Sequence, residues 1–401
     1  MKYDLIVVGG GPAGSTCARW AAKNGLHVLV LDKEQHPRRK VCAGGFRASL
    51  PDILDFDIRS VIEREACGSH LYAPSGLKVV CTKNEATGYT VRRSNFDHHL
   101  LEKAAEAGAE VRAPYEVVDV EEHTDYVSVL CADGTTFSSR CLVGADGVNS
   151  RVARSTGLKT AWSNSEVGLC LEARVPMDSS DIERITLGPY EGSRRICIEI
   201  FFGGLKHGYA WCFPKREEVS LGMGCLVSYA RDLKRAWERF GRSFEERNGI
   251  RVDLSETSAM RVPLAGPINT AASRLVMLAG DAGGFVSPAT GEGIYYAIET
   301  GRIAGQVAVE LVRGNIQDVH EYDRRSRLLR KELSISNFLA NLMFNSEDNM
   351  ETVVRMAATD SVMRGYMTEL IGGLKPYSQI RNAVIRRVLM RHPVDGLKLL
   401  V

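Results

Sequence analysis

Apolar positions follow two rhythms along this chain, and the change from one to the other divides it. Tyr3 to Val8 is a short, nearly unbroken apolar run ending at a glycine cluster, the pattern of a strand covered on both faces. Pro12 to Asn24 has helical spacing and stops at Gly25, and His27 to Leu31 is a second apolar run. Together these predict a β-α-β unit. Residues 32 to 68 read as irregular, then helical. Leu71 to Val80 and Gly88 to Arg92 predict strands, Asn95 to Ala107 a helix, and Val117 to Val120 and Val127 to Leu130 two more strands. Cys141 to Gly144 and Arg274 to Ala279 repeat the buried-strand pattern, and each runs into an aspartate-bearing turn. Gly293 to Arg313 predicts a long helix.

From about Val167 to Leu226 the rhythm is strand alternation, as in Arg195 to Phe202, Tyr209 to Phe213 and Val219 to Cys225. This predicts an antiparallel sheet, a different architecture from the first part. A helix near Ala230 to Asn248 follows, stopped by Gly249, and the tail from about Leu328 is helical around Pro376 and Pro393. No internal repeat or low-complexity linker interrupts the chain. The expected fold class is mixed α/β. A nucleotide-binding domain is assembled from residues 1–165 and 258–325. An antiparallel-sheet substrate domain spans 166–257 with a contribution from about 68–92, and a helical region covers 326–401.

Composition narrows the function classes. With 51 basic against 49 acidic residues the net charge is +2, which creates no field suited to nucleic acid. The chain is 44% hydrophobic and 25% charged, ordinary values for a soluble protein. Met1 to Val8 lacks the features of a signal peptide, and no run of 18 apolar residues predicts a spanning helix. The ten cysteines form neither Cys-x-x-Cys pairs nor zinc-like spacings, so no metal is expected. Buried reduced thiols point to the cytoplasm.

Gly9-x-Gly11-x-x-Gly14 lies between the first strand and the first helix. Gly9 permits the tight turn, Gly11 lets backbone approach a pyrophosphate, and Gly14 permits close helix–strand packing. Pro12 and Ala13 open the helix, whose positive end faces the phosphates. Asp32, followed by Lys33, ends the second strand, placed to accept from a ribose; the competing reading of Asp32 is a solvated surface acid. This is a Rossmann-type dinucleotide site, and the motif alone does not separate NAD from FAD. Asp146-Gly147 and Gly280-Asp281 each follow an apolar strand, and turn chemistry explains either one alone.

Taken in order, these segments and Pro288 resemble the later fingerprints of the flavoprotein superfamily of p-hydroxybenzoate hydroxylase. The resemblance implies FAD, with Asp281 at the ribityl chain and Arg93 of Arg-x-x-Phe96-Asp97 near the cofactor. No second glycine fingerprint indicates a permanent NAD(P)H domain.

Gly208-Tyr209-Ala210-Trp211-Cys212-Phe213-Pro214 puts three aromatics on one face of a strand. They either fill a core or wall a flat apolar pocket. Tyr-x-Trp-x-Phe-Pro resembles the signature of the geranylgeranyl reductase family. Lys40-Val41-Cys42-Ala43-Gly44-Gly45 is similar to that family's Lys-x-Cys-Gly-Gly segment. Gly291-Glu292-Gly293-Ile294 is similar to its loop after Pro288. The likeness covers about residues 1 to 310, with Ala43 in place of a usual glycine and Lys206 in place of a frequent proline.

It implies reduction of isolated C=C bonds in prenyl chains of lipids, diphosphates or quinones by hydride from reduced flavin. Cys42, Ala43, Gly44, Gly291, Gly293 and Ile294 would face the cofactor. Gly45, Tyr209, Trp211 and Phe213 would face a long isoprenoid substrate. Cys42, Tyr209 and Trp211 are the catalytic candidates, with Cys42 and Tyr209 as alternative proton donors; the plain reading of Cys42 is a small buried hydrophobe. The electron donor is NAD(P)H, ferredoxin or another carrier. Competing functions are a flavin monooxygenase or halogenase and a non-catalytic flavin or lipid binder.

Arg381, Arg386, Arg387 and Arg391 interleave with Ile380, Val384, Ile385, Val388 and Leu389. The two readings are a packed helix with a solvated basic face and a peripheral contact with a membrane surface.

Overall fold

The computed structural model describes residues 2–188 and 195–400. Four parallel strands build the heart of the first sheet. Tyr3–Val8 lies between Val28–Leu31 and Thr136–Gly144, and Val276–Leu278 pairs with the end of Thr136–Gly144. The residues Leu5, Ile6, Val7, Leu29, Leu142 and Met277 are completely buried, as their unbroken apolar runs require. Glu110–Arg112 adds one edge, and the meander of Val117–Glu122 and Val127–Cys131 adds the other. All four parallel strands run toward the same edge. Gly9, Asp32, Asp146 and Asp281 therefore emerge together, where open parallel sheets place their ligands. Helix Pro12–Lys23 packs on helix Ile294–Val312 so closely that a Cβ on Gly301 would lie 2.1 Å from Ala13 O.

The second sheet runs in the order Ser258–Pro263, Val167–Pro176, Glu218–Leu226, Gly208–Pro214, Ile196–Phe202, Ile62–Tyr72, Gly88–Val91, Gly45–Arg47, with Lys78–Thr82 also paired to Ile62–Tyr72. Its pairs are antiparallel except Ile196–Phe202 with Ile62–Tyr72. Alternation sorts its two faces. Ala210, Cys212 and Leu221 pack toward helix Leu233–Asn248, which ends at a left-handed Gly249. Ile200 and Phe202 face the tail helices Arg327–Phe344, Glu347–Thr359 and Ser361–Ile371.

Three local expectations change. Residues 62 to 68, read as helical, begin the strand Ile62–Tyr72, because Ala66 to Leu71 are buried between two strand neighbours that supply their hydrogen bonds. Leu71 to Val80 is not one strand: a turn at Pro74–Leu77, with Gly76 at φ +86°, separates two. Helix Ser179–Thr186 interrupts the β region, and residues 189–194 of that region lie outside the described residues. The second sheet also takes in Gly45–Arg47 and Ser258–Pro263, so the two architectures interleave more finely along the chain than the sequence division drew them.

Candidate active site

At the carboxyl edge of the first sheet lies a cavity of about 450 Å³ with mixed polar and apolar walls, more polar than its neighbour on the second sheet. Gly9, Gly11, Pro12 and Ala13 line it. Gly9 has φ +103°, and a Cβ there would sit 2.4 Å from Ala145 O; on Gly14, behind the turn, it would sit 1.8 Å from Gly9 O. The helix begins at Gly11 with no side-chain cap, so its first N–H groups and its positive end are free for an anion. Asp32 is buried rather than solvated. Gly10 N–H donates to its Oδ2 at 2.6 Å and Glu34 N–H to its Oδ1 at 2.9 Å. Burial opposes the charge, but these bonds and the contact with His36 hold the carboxyl below the ordinary range. Lys33 lines the same cavity beside it.

Asp146, Gly147, Gly280 and Asp281 line this cavity as well. Asp146 also caps the helix Arg151–Ser155, accepting from Ser150 Oγ and Arg151 N–H at 2.6 Å each, while burial raises its pKa. Arg93 lines the cavity and forks onto Asp97 at 2.7 and 2.9 Å. With Arg38, Arg39, Lys40, Arg151 and Arg261 it gives the walls a cationic character suited to a pyrophosphate. The uncapped helix, the glycine cradle and the strand-end acids fit a bound dinucleotide.

A second cavity, about 230 Å³ and mostly apolar, lies on the face of the second sheet. Tyr209, Trp211 and Phe213 all line it, so they wall a pocket as well as fill space. Each ring has a seat made by a glycine or a ring. Trp211 lies over Gly222, where a Cβ would be 2.0 Å from the indole, and Phe213 lies against Gly45, where it would be 2.3 Å away. Tyr209 stacks on Phe344, with centroids 6.0 Å apart, and donates its hydroxyl to Thr290 O at 2.6 Å. Burial pushes that phenol's pKa up, so it keeps its proton. The indole Nε1 of Trp211 is buried without a protein partner.

The two cavities meet. Val41, Cys42, Met260, Val262, Gly291, Gly293 and Ile294 line both. Ala43, Gly44, Gly45 and Pro288 line only the apolar one, and Gly14 neither. Cys42 is partly exposed, and Gly44 N–H donates to its Sγ at 3.3 Å. Lys206 is exposed in the turn that leads to His207, a cavity residue held at φ +48°.

Three features of this region have no counterpart in the motif reading. The tail supplies the far wall of the apolar cavity with Met343, Phe344, Met367, Leu370 and Ile371. Arg47 Nε donates to both carboxylate oxygens of Glu292, at 3.1 and 3.0 Å, and so pins the loop Pro288–Gly293. Under the same loop, Ser287 Oγ lies 2.8 Å from Tyr377 OH and 2.9 Å from Ser336 Oγ. The recurrent methionines of the tail were the available signal for the first; the other two join residues far apart in sequence. Among the described residues no cluster of histidine, cysteine or carboxylate side chains is arranged to hold a metal ion, and no helix is long and apolar enough to cross a membrane.

The family model described as lycopene cyclase protein matches residues 4–358. The digeranylgeranylglycerophospholipid reductase of Methanocaldococcus jannaschii is 32% identical over 341 residues, covering 80% of this chain and 82% of that protein. The enzyme of the same name from Methanothrix thermoacetophila is 30% identical over 395 residues, covering 92% and 96%. Among solved structures, a geranylgeranyl bacteriochlorophyll reductase-like protein from Thermoplasma acidophilum superposes with a TM-score of 0.75 at 23% identity, covering 99% of this chain and 98% of that one. The flavin-dependent brominase Bmp2 reaches 0.72 at 22% identity, covering 97% and 100%. These structures share the fold.

Proposed function

This chain belongs to the family of the digeranylgeranylglycerophospholipid reductases, and from that premise we propose that it is an FAD-dependent reductase of isoprenoid chains. It saturates isolated C=C bonds in prenyl lipids, diphosphates or quinones. The observation that carries this reading is the seam at Cys42, where an apolar cavity opens onto a dinucleotide-shaped one.

The amino end of helix Pro12–Lys23 would hold the pyrophosphate of FAD, Asp32 a ribose and Asp281 the ribityl chain. When bound and reduced it supplies the hydride. The protein supplies the rest. Trp211 and Phe213 hold the chain flat and exclude water. An isolated alkene has no carbonyl to polarise, so a proton must reach the second carbon from a fixed group. Cys42 Sγ is the group at the seam. Tyr209, its hydroxyl committed to Thr290 O, is the second candidate. The external reductant in this reading is NAD(P)H or a ferredoxin. The exposed Ile385, Leu389, Met390 and Val394, flanked by Arg386 and Arg391, form the contact with the membrane that holds a lipid substrate.

The test is anaerobic. Dithionite-reduced holoprotein is mixed with a geranylgeranyl lipid, geranylgeranyl diphosphate or a menaquinone, and flavin reoxidation and product mass are followed together. Reoxidation with two mass units gained per bond supports the reductase. A product of unchanged mass points to cyclisation instead. No reoxidation without oxygen, with oxygen or halogen incorporated once air is admitted, replaces the reading with a monooxygenase or halogenase.

A further inference from the structure

Lys215 follows directly on the Phe213-Pro214 step and is only 3% exposed. Its Nζ donates to Ala43 O at 2.6 Å, across 172 residues of sequence. A Cβ on Gly44 would come within 3.2 Å of that nitrogen. Among the described residues no carboxylate lies within ion-pair distance of it. The acids that face it are otherwise engaged. Glu63 and Glu218 are taken by Arg92, at 3.7 and 3.2 Å, and Glu172 accepts from Ser220 at 3.1 Å. Of the nearby cations, Arg64 is spent on the Lys215 and Arg216 carbonyls and Arg216 on Ile62 O. A buried ammonium held by one carbonyl is costly, and such groups persist where the charge has a use. Of the groups its charge reaches, Cys42, the residue before the Ala43 carbonyl that it holds, comes ahead of these acids, and the fully buried Cys212 is another. Arg93 faces the Cys42 sulfur from the cofactor side.

We propose that Lys215 is the positioning residue for Cys42: it fixes the Cys42–Gly45 turn through Ala43 O and sets a positive charge opposite the sulfur. The inference rests on the reading of Cys42 as proton donor. When Cys42 gives its proton to the substrate carbon, the S–H bond breaks, a C–H bond forms and the pair stays on sulfur as a thiolate. That negative charge needs a preplaced cation in a dry site. Solvent later returns the proton. Burial lowers the pKa of Lys215 to about 8, so the ammonium is present at neutral pH and is lost above it.

The test separates charge from hydrogen bonding. Lys215→Gln keeps a donor for Ala43 O and removes the charge; Lys215→Arg keeps both. Holoprotein is alkylated with iodoacetamide at neutral pH and the rate at Cys42 is read by peptide mass. The expected result is a fall of about tenfold in Lys215→Gln and a rate within about threefold of wild type in Lys215→Arg. Equal rates in wild type and Lys215→Gln overturn the proposal, as does an equal loss in both variants, which would mean packing alone. Should Lys215→Gln not fold, the wild type decides: single-turnover reduction of a geranylgeranyl substrate falls about tenfold as pH rises from 7.5 to 9, and a flat profile overturns the proposal. The alkylation readout needs no prenyl substrate. If it behaves as expected while no prenyl compound reoxidises the flavin, the reductase reading fails and the role of Lys215 stands.

Discussion

Single atoms decide much of this site. A methyl group on Gly14 would have to occupy space 1.8 Å from Gly9 O, so Gly14→Ala is expected to drive the first helix off its strand. The checkable outcome is loss of visible flavin absorbance per protein after purification, while far-UV circular dichroism stays close to wild type. Lys215 carries a thermodynamic signature as well. Its folded pKa is about 8 against an ordinary 10.5, so between those values the unfolded chain binds more protons and stability rises with pH. Urea unfolding of wild type and Lys215→Met should show the wild type gaining on the variant by on the order of 2 kcal/mol between pH 7.5 and 9.5; a pH-independent gap would mean the lysine is not desolvated. At this scale the sequence was legible where the backbone admits one residue type, as at Gly9 and Gly14. It was silent at Lys215 and Arg47, whose partners Ala43 and Glu292 lie 172 and 245 residues away.

Among elements, the helix Ile294–Val312 could be read from apolar spacing kept over 19 residues, and the parallel strands from short, nearly unbroken apolar runs. The strand Ile62–Tyr72 could not, since Glu63, Arg64 and Glu65 break its alternation and, beside its neighbours Lys78–Thr82 and Gly88–Val91, it pairs with Ile196–Phe202, over a hundred residues later. The basic tail helix Tyr377–Arg391 divides its arginines. Arg387 forks onto Asp360 at 2.7 and 3.0 Å, and His392 approaches the same carboxylate at 3.1 Å. Asp360 also accepts from Val362 N–H at 2.9 Å and so caps helix Ser361–Ile371. The Arg387 guanidinium, above all, holds that carboxyl far below its ordinary range. Its stabilising share is therefore complete above the ordinary carboxylate pKa and is lost as pH falls below it. Asp360→Ala should speed amide exchange across residues 361–391 by about tenfold at neutral pH, and the gap to wild type should close in acid. Unchanged exchange would mean the latch is redundant.

For the molecule as a whole, two sheets stand with the seam at Cys42 between their cavities, and the tail closes the apolar side. The motifs revealed the first sheet and one wall of the second cavity. They could not reveal that Phe344 and Met367 form the opposite wall, because apolar positions in a helix look alike whether they meet a core or a ligand. Phe344→Ala removes a ring stacked on Tyr209 and close to Phe202. The expected cost is about 3 kcal/mol of stability, together with a fall of about tenfold in kcat/KM for prenyl substrates. Reduction of the bound flavin by its electron donor should be unaffected. An equal loss in flavin reduction would place Phe344 outside the substrate wall.

The hydroxyl contacts beneath Pro288–Gly293 have a bearing on how the protein is made. Ser287 and Tyr377 are 90 residues apart, so the loop's partner exists only once the chain has run 90 residues past it. The nascent chain can assemble its strands and glycine turn early, since domains form in the order they emerge. The support beneath the loop Pro288–Gly293, however, waits for the helix that Tyr377 opens. A fragment ending before Tyr377 would therefore keep every residue that lines the dinucleotide cavity and leave the loop Pro288–Gly293 without its support.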